Sequence, residues 1–379
     1  MSFTTKRWAS LGALAFTAAL VAGACNSGTP STAPVSAAAS EAPASQAASQ
    51  GPASAAASGG AASTAPSSAP TQAAGGGTGK APNIFVVGGK ADDPFWSRVK
   101  RGAEDAGMIV KAEGGSVTWL APANYNNLGP DAAKLLQTAL SQNPGAVVGP
   151  DWVPDAEDAA FEAIVAAKVP LIVYNSGYLA AAQKVGALNY VGSDDNVAGA
   201  TAGKYLASHG FRHALCVNDF PGASFAEARC GGIKQGMTSA GAQYTELPLP
   251  SSDYGNQTAV SQAVKAAILK DPTIDVIMTL GVSDEPAVQS AIDQANARST
   301  VKAATFDMDT TTLQDVKSGK LLFTIDQQPY MQGFLAVSML NQYVQWGLTM
   351  PQQPVLTGPA IVDASGVDAA LAGAAAGTR

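Results

Sequence analysis

Asn83-Ile84-Phe85-Val86-Val87-Gly88-Gly89-Lys90-Ala91-Asp92-Asp93-Pro94-Phe95-Trp96-Ser97-Arg98-Val99 is the stretch whose reading decides the fold. Ile84 to Val87 form a short unbroken apolar run, which predicts a strand buried on both faces. Trp96, Val99, Ala103 and Ala106 then recur at helical spacing. A buried strand leading directly into a helix is the first half of a βα unit. At the junction Asp93 suits a helix cap and Pro94 a first helical turn.

The same alternation repeats outward from this stretch. Strands are expected at 117–120, 146–148 and 171–174. Helices between them run through Leu135, Leu136 and Ala139, capped by Asp131, and through Phe161 and Ile164. A second series begins near Asp194. Its strands fall at 213–217, 244–247, 276–280, 303–306 and 323–325, and its helices at 197–207, 225–240, 259–268, 287–295 and 313–316. After Gln328 a long amphipathic segment carries Phe334, Val337, Leu340 and Val344. Two such series predict an α/β protein of two doubly wound parallel-sheet lobes. Ligands of such sheets sit at the carboxyl ends of strands, so the informative residues lie just after them.

The chain ahead of Asn83 has another character. Lys6 and Arg7 precede an apolar run from Trp8 to Val21, followed by Ala22-Gly23-Ala24-Cys25. A basic start, a short apolar run and small residues before a cut site predict an export signal over 1–24. The run falls short of the roughly 20 residues a membrane-spanning helix needs. Cys25, directly after the cut, is the expected lipid anchor. Ala22-Gly23-Ala24 also suits ordinary signal peptidase, which would leave a secreted or periplasmic soluble form. From 26 to 80 the chain is nearly all Ala, Ser, Pro, Gly, Thr and Gln, with Glu41 and Lys80 its only charges. That composition cannot bury enough apolar surface to offset chain entropy and predicts a disordered linker.

Net charge is -7, which argues against a nucleic-acid partner. The trio Arg98, Lys100 and Arg101 reads as a solvated helix face. His209 and His213 are the only histidines, thin material for acid–base chemistry. With Cys25 lipidated, Cys216 and Cys230 remain as a pair. A disulfide closing that loop is one reading, worth about 3 kcal/mol. A metal site with His209 and His213, or two buried thiols, are the others.

The strand ends hold the candidate site. Phe95 and Trp96, two rings at a helix start, can present an apolar plate to a ligand. Asn175-Ser176-Gly177 follow the fourth strand, and Ser193-Asp194-Asp195-Asn196 follow Gly192. Arg229 lies near a helix start, where a cation opposes the helix dipole and needs a partner. Asp307 and Gln327 close two later strands. Carboxylates, carboxamides, one guanidinium and flat rings suit a neutral polyhydroxylated ligand. No G-x-G-x-x-G after a strand, G-x-x-x-x-G-K-[ST], G-x-S-x-G or H-E-x-x-H occurs. We therefore expect no enzyme, cofactor or metal centre.

From about 81 to 362 the chain resembles the type I periplasmic sugar-binding proteins of ABC importers, the ribose-binding-protein-like group, and within it the fructose/ribose type. The resembling stretches are Asp93-Pro94-Phe95-Trp96; Val169-Pro170-Leu171-Ile172 leading to Asn175-Ser176-Gly177; and Gly192-Ser193-Asp194. Ala214-Leu215-Cys216-Val217-Asn218, Arg229-Cys230-x-Gly232, Thr279-Leu280-Gly281, Thr305-Phe306-Asp307 and Asp326-Gln327-Gln328-Pro329-Tyr330-x-Gln332-Gly333 complete the series. The resemblance implies a polar contact at Asp93, a sugar sandwich at Phe95 and Trp96, and hydroxyl partners at Arg229, Asp307 and Gln327. The ribose-binding pattern has Asp-Arg where this chain has Asn175-Ser176, which argues against ribose itself. Asn175, Ser176 and Asp194 complete the expected ligand set. The resemblance also favours the Cys216–Cys230 disulfide. It implies a monomeric extracytoplasmic lipoprotein that hands a monosaccharide to an ABC permease and its ATPase, touching the membrane only through Cys25. A sensory receptor of the same fold signalling to a membrane chemoreceptor or kinase, or a receptor for another small polar solute, is the alternative. The expected lobes are 81–193 with 328–356, and 194–327 with 357–366. Residues 367–379 are expected to fray.

Overall fold

Asn83–Val87 forms β1, and its apolar run is covered on both faces: Ile84, Val86 and Val87 are fully buried. The computed structural model describes residues 76–379. The expected export signal, the anchor position Cys25 and the tract up to residue 75 lie outside the described residues. From β1 the chain alternates through α1 (Trp96–Ala112), β2 (Ser116–Leu120), α2 (Leu128–Ser141), β3 (Ala146–Gly149) and α3 (Pro154–Ala166). β4 (Leu171–Tyr174), α4 (Tyr178–Lys184) and β5 (Asn189–Gly192) follow. The second series runs α5 (Asp195–Ser208), β6 (His213–Asn218), α6 (Ser224–Ser239), β7 (Gln243–Pro248) and α7 (Gln257–Lys270). It continues with β8 (Val276–Thr279), α8 (Glu285–Gln294), β9 (Lys302–Phe306), α9 (Thr310–Ser318) and β10 (Phe323–Asp326). Then come α10 (Pro329–Trp346), β11 (Val355–Leu356), β12 (Ala360–Asp363) and α11 (Val367–Ala375).

These strands make two sheets of matching order. The first reads β11-β5-β4-β3-β1-β2 and is parallel throughout; the second reads β12-β10-β9-β8-β6-β7. β12 alone breaks the parallel pattern of the second, pairing antiparallel to β10. In each sheet the opening strand lies between the second and third, so strand order reverses at β1/β3 and at β6/β8. The chain passes between lobes after β5, after β10 and between β11 and β12.

One tight helix pair backs each sheet: α1 against α10, and α5 against α6. A Cβ at Gly102 would overlap the Tyr330 carbonyl, and one at Gly199 the Arg229 carbonyl. Glycine is required there because backbone meets backbone. Cys216 of β6 and Cys230 of α6 form a disulfide with Cα atoms 5.9 Å apart. The metal alternative is not assembled, since His213 places its ring nitrogens 2.8 Å from the hydroxyls of Thr273 and Thr245.

Both ends of the folded region differ from expectation. The linker reading ran to residue 80, but Thr78 and Gly79 each donate a backbone bond of 2.9 Å, to Val344 and Gln345. Those carbonyls lie in the last turn of α10 and have no intrahelical partner, which is what draws the chain in. Residues 367–379, expected to fray, instead contain α11, which buries Val367, Ala370 and Ala374. Alanine's high helix propensity and a small apolar face against α9 account for it. Among the described residues no helix is long and apolar enough to cross a membrane.

Candidate ligand-binding cleft

The carboxyl ends of the two sheets face each other across a small cavity. Seven of the nine nominated positions line it: Asp93, Phe95, Trp96, Asn175, Arg229, Asp307 and Gln327. Ser176 and Asp194 do not. Ser176 is buried, with its hydroxyl bonded to Asn175 Oδ1 at 3.0 Å. Asp194 caps α5, accepting from Val197 N at 2.9 Å.

On the first-lobe side, Asp93 serves the helix and borders the cavity at once. Its Oδ1 accepts from the amides of Phe95 and Trp96 at 2.9 and 3.0 Å, and its carboxylate bonds the Tyr125 hydroxyl. Burial raises its pKa against those hydrogen bonds. The bonds turn the chain so that both rings point inward. Trp96 meets Phe95 at 5.3 Å and Trp152 at 5.4 Å, edge to face. Asn175 follows β4 with a left-handed φ of 63°, a conformation asparagine tolerates better than most residues. Its Nδ2 donates to Gln332 Oε1 at 3.2 Å.

The second-lobe side is organised by one cation. Arg229 Nε donates to Asp195, Nη1 to the Leu280 carbonyl and Nη2 to Gln327 Oε1, each at 2.8 Å. Its guanidinium lies 5.1 Å from the ring centre of Phe225 and 4.7 Å from that of Phe306. Burial disfavours the charge, yet Asp195 and Asp307 hold the pKa of Arg229 above its ordinary value. The partner that this cation requires is thus Asp195. Asp307, also left-handed at φ 63°, accepts from Gln327 Nε2. Burial pushes the Asp307 carboxyl up to about 7, with Arg229 opposing the shift. The Gln327 carbonyl accepts from Gln332 at 3.1 Å, which links this network to Asn175 across the hinge.

Several lining residues were not anticipated from the sequence. Tyr125 and Trp152 come from the first lobe, and Phe220, Phe225 and Tyr254 from the second. Tyr125 reaches across the cleft to Phe220 at 6.0 Å and Tyr254 at 5.7 Å. Tyr125, Trp152, Phe220 and Tyr254 lie in loops and carry no periodic signal, so only the fold brings them together. Rings on several sides and polar groups at two strand-order reversals form an enclosure for a small, ring-shaped polar molecule.

Residues 84–348 match the family described as periplasmic binding protein domain. The chain belongs to that family, as a type I sugar-binding protein of ABC importers. Its members are non-enzymatic solute receptors. It is similar to a carbohydrate transporter of Acidothermus cellulolyticus 11B solved in complex with myo-inositol. The two are 32% identical with a TM-score of 0.71, covering 79% of this chain and 99% of that one. An ABC transporter solute-binding protein of Agrobacterium vitis with bound D-fucose shares the fold at 21% identity and a TM-score of 0.67, covering 76% and 97%. The xylose/arabinose-binding protein XylF of Sulfolobus acidocaldarius is 23% identical over 285 residues, or 69% of this chain. The chain spans 66% of the length of that curated relative.

Proposed function

We propose that the cleft captures a monosaccharide or a cyclitol and that the protein delivers it to an ABC-type permease. The observation carrying this reading is the enclosure itself: Asp93, Asn175, Arg229, Asp307 and Gln327 converge on a cavity walled by aromatic rings. Carboxylate, carboxamide and guanidinium groups pair with adjacent hydroxyls, while ring faces cover the C–H surface of a sugar or inositol. Asp195 offsets the charge of Arg229, so an anionic sugar finds no unpaired cation there. The similarity to a protein solved with myo-inositol supports testing cyclitols beside pentoses and hexoses. In this reading the seven nominated residues that line the cavity bind ligand, the polar groups of both lobes taking its hydroxyls and the rings covering its C–H surface. Cys25 carries lipid, and the tract behind it is a leash that keeps the receptor near its permease.

A melting-temperature screen of the full chain against pentoses, hexoses and inositols tests the reading. At a hundredfold excess over Kd, a ligand of the folded state adds about 2.7 kcal/mol of stability. A response confined to amino acids or nucleosides would sink it. Mass spectrometry of the mature N-terminus tests the anchor: an unmodified Cys25 removes it.

A further inference from the structure

A second hollow lies just outside the ligand cavity, and Asp93, Tyr125 and Tyr254 border both. Each therefore turns one side to the cavity and another to the hollow. Tyr125 lies between β2 and α2 of the first lobe, and Tyr254 between β7 and α7 of the second. Their rings meet edge to face at 5.7 Å, and Tyr125 also reaches Phe220 at 6.0 Å. Both rings are held from behind. The Tyr125 hydroxyl accepts from the Lys90 amide at 3.0 Å. The Tyr254 ring packs on Phe220 at 5.0 Å, and a Cβ at Gly281 would lie only 3.0 Å from its hydroxyl. The pair spans the two lobes, so hinge closure brings it together and opening parts it.

Beyond the rings the chemistry changes. Asn124, Asn126, Ser251, Ser252 and Ser283 border the outer hollow. Lys90 and Asp92, also on its border, pair at 3.4 Å and offset each other's charge. Hydroxyls and carboxamides beside an internally paired charge suit a second neutral, polyhydroxylated ring.

We propose that Tyr125 and Tyr254 set the upper size of the ligand: on closure they divide a cavity for one ring from an outer subsite that would take a second, glycosidically linked ring. The wild-type protein then accepts free sugars or cyclitols and rejects their glycosides, and loss of either tyrosine ring joins the two spaces. This rests on the cleft being a sugar or cyclitol site, because the limit is read from the ratio of two affinities there.

Calorimetry of the full chain tests the limit with myo-inositol, D-xylose and D-glucose, each free and singly glucosylated at each ring hydroxyl in turn. The ratio of glycoside to free-ligand affinity is the readout, since a general loss of binding leaves it unchanged. In the wild type every glycoside should bind at least about a hundredfold more weakly than its free ligand, because an extra ring in a filled site must displace the tyrosines. In Tyr254→Ala, or in Tyr125→Ala should the first not fold, at least one linkage should come within about tenfold of the free ligand. Tyr254→Phe keeps the ring and should keep the wild-type ratio. A wild type that binds a free ligand and its glycosides alike, or alanine variants that retain the wild-type ratio, overturns the size limit alone. A wild type that binds none of these probes overturns the sugar reading and the limit with it.

Discussion

On the first-lobe side of the cleft, Trp96 packs against four rings: Phe95, Trp119, Trp152 and Tyr174, at centroid distances of 5.3 to 6.3 Å. On the second-lobe side, Arg229, in the second turn of α6, spends its donors on Asp195, Leu280 and Gln327. The strand orders behind the two walls match. The first wall is fixed by shape and the second by charge. The walls should therefore fail differently when probed.

The largest effect is expected from Arg229→Met, which strands Asp195 and Asp307 without their cation. Breaking a buried ion pair costs about 4 kcal/mol. Urea unfolding should show that loss, and ligand-induced stabilisation should vanish with it. A cost below about 1 kcal/mol, as for a surface pair, would erase the contrast between the walls. Next comes Trp96→Ala, expected to cost about 3 kcal/mol through the cavity it leaves. Its penalty should be the same at acid and neutral pH, since no ionised group loses a partner. A penalty that varies with pH would show that charge also organises the first wall.

Titration gives a third handle. Asp307 keeps its proton up to about pH 7 when folded, but releases it near pH 4 when unfolded. Between those values the folded state binds more protons, so Asp307 makes stability fall as pH rises. The slope from one group is at most about 1.4 kcal/mol per pH unit. In Asp307→Asn the stability–pH curve should be flatter over that window; an unchanged curve would show that Asp307 does not govern it. The smallest effect is expected from Asp194→Ala. Loss of the α5 cap should cost about 1 kcal/mol while leaving ligand affinity intact. A large affinity loss would return Asp194 to the site.

The contrast between the walls also explains what the sequence could convey. The α/β alternation was legible because buried parallel strands are local apolar runs, and helices such as α1 repeat their apolar residues within one window. Positions at strand ends, such as Asp93 and Asp307, followed from the architecture. Asp194 and Asp195 are neighbours of identical type, and only the backbone direction at the start of α5 decides which one faces Arg229. Tyr125 and Tyr254 sit in loops far apart in the chain, so their meeting is a property of the assembled lobes. The helix at 367–375 was missed because Ala and Gly composition describes a flexible tail as well as it describes a helix that finds a groove.

The glycine contacts within each lobe have a mechanical consequence. Where the carbonyl of Tyr330 rests on Gly102 and that of Arg229 on Gly199, no side chain is left between the helices to yield. Such pairs have little compliance, so a torque at the cleft is not absorbed inside a lobe. The rotation concentrates in the three connecting segments, and the outer surfaces of the lobes move as the ends of long, stiff levers. A change in lobe angle set by a molecule of a few ångströms would then appear, undiminished, as a larger displacement at the rim.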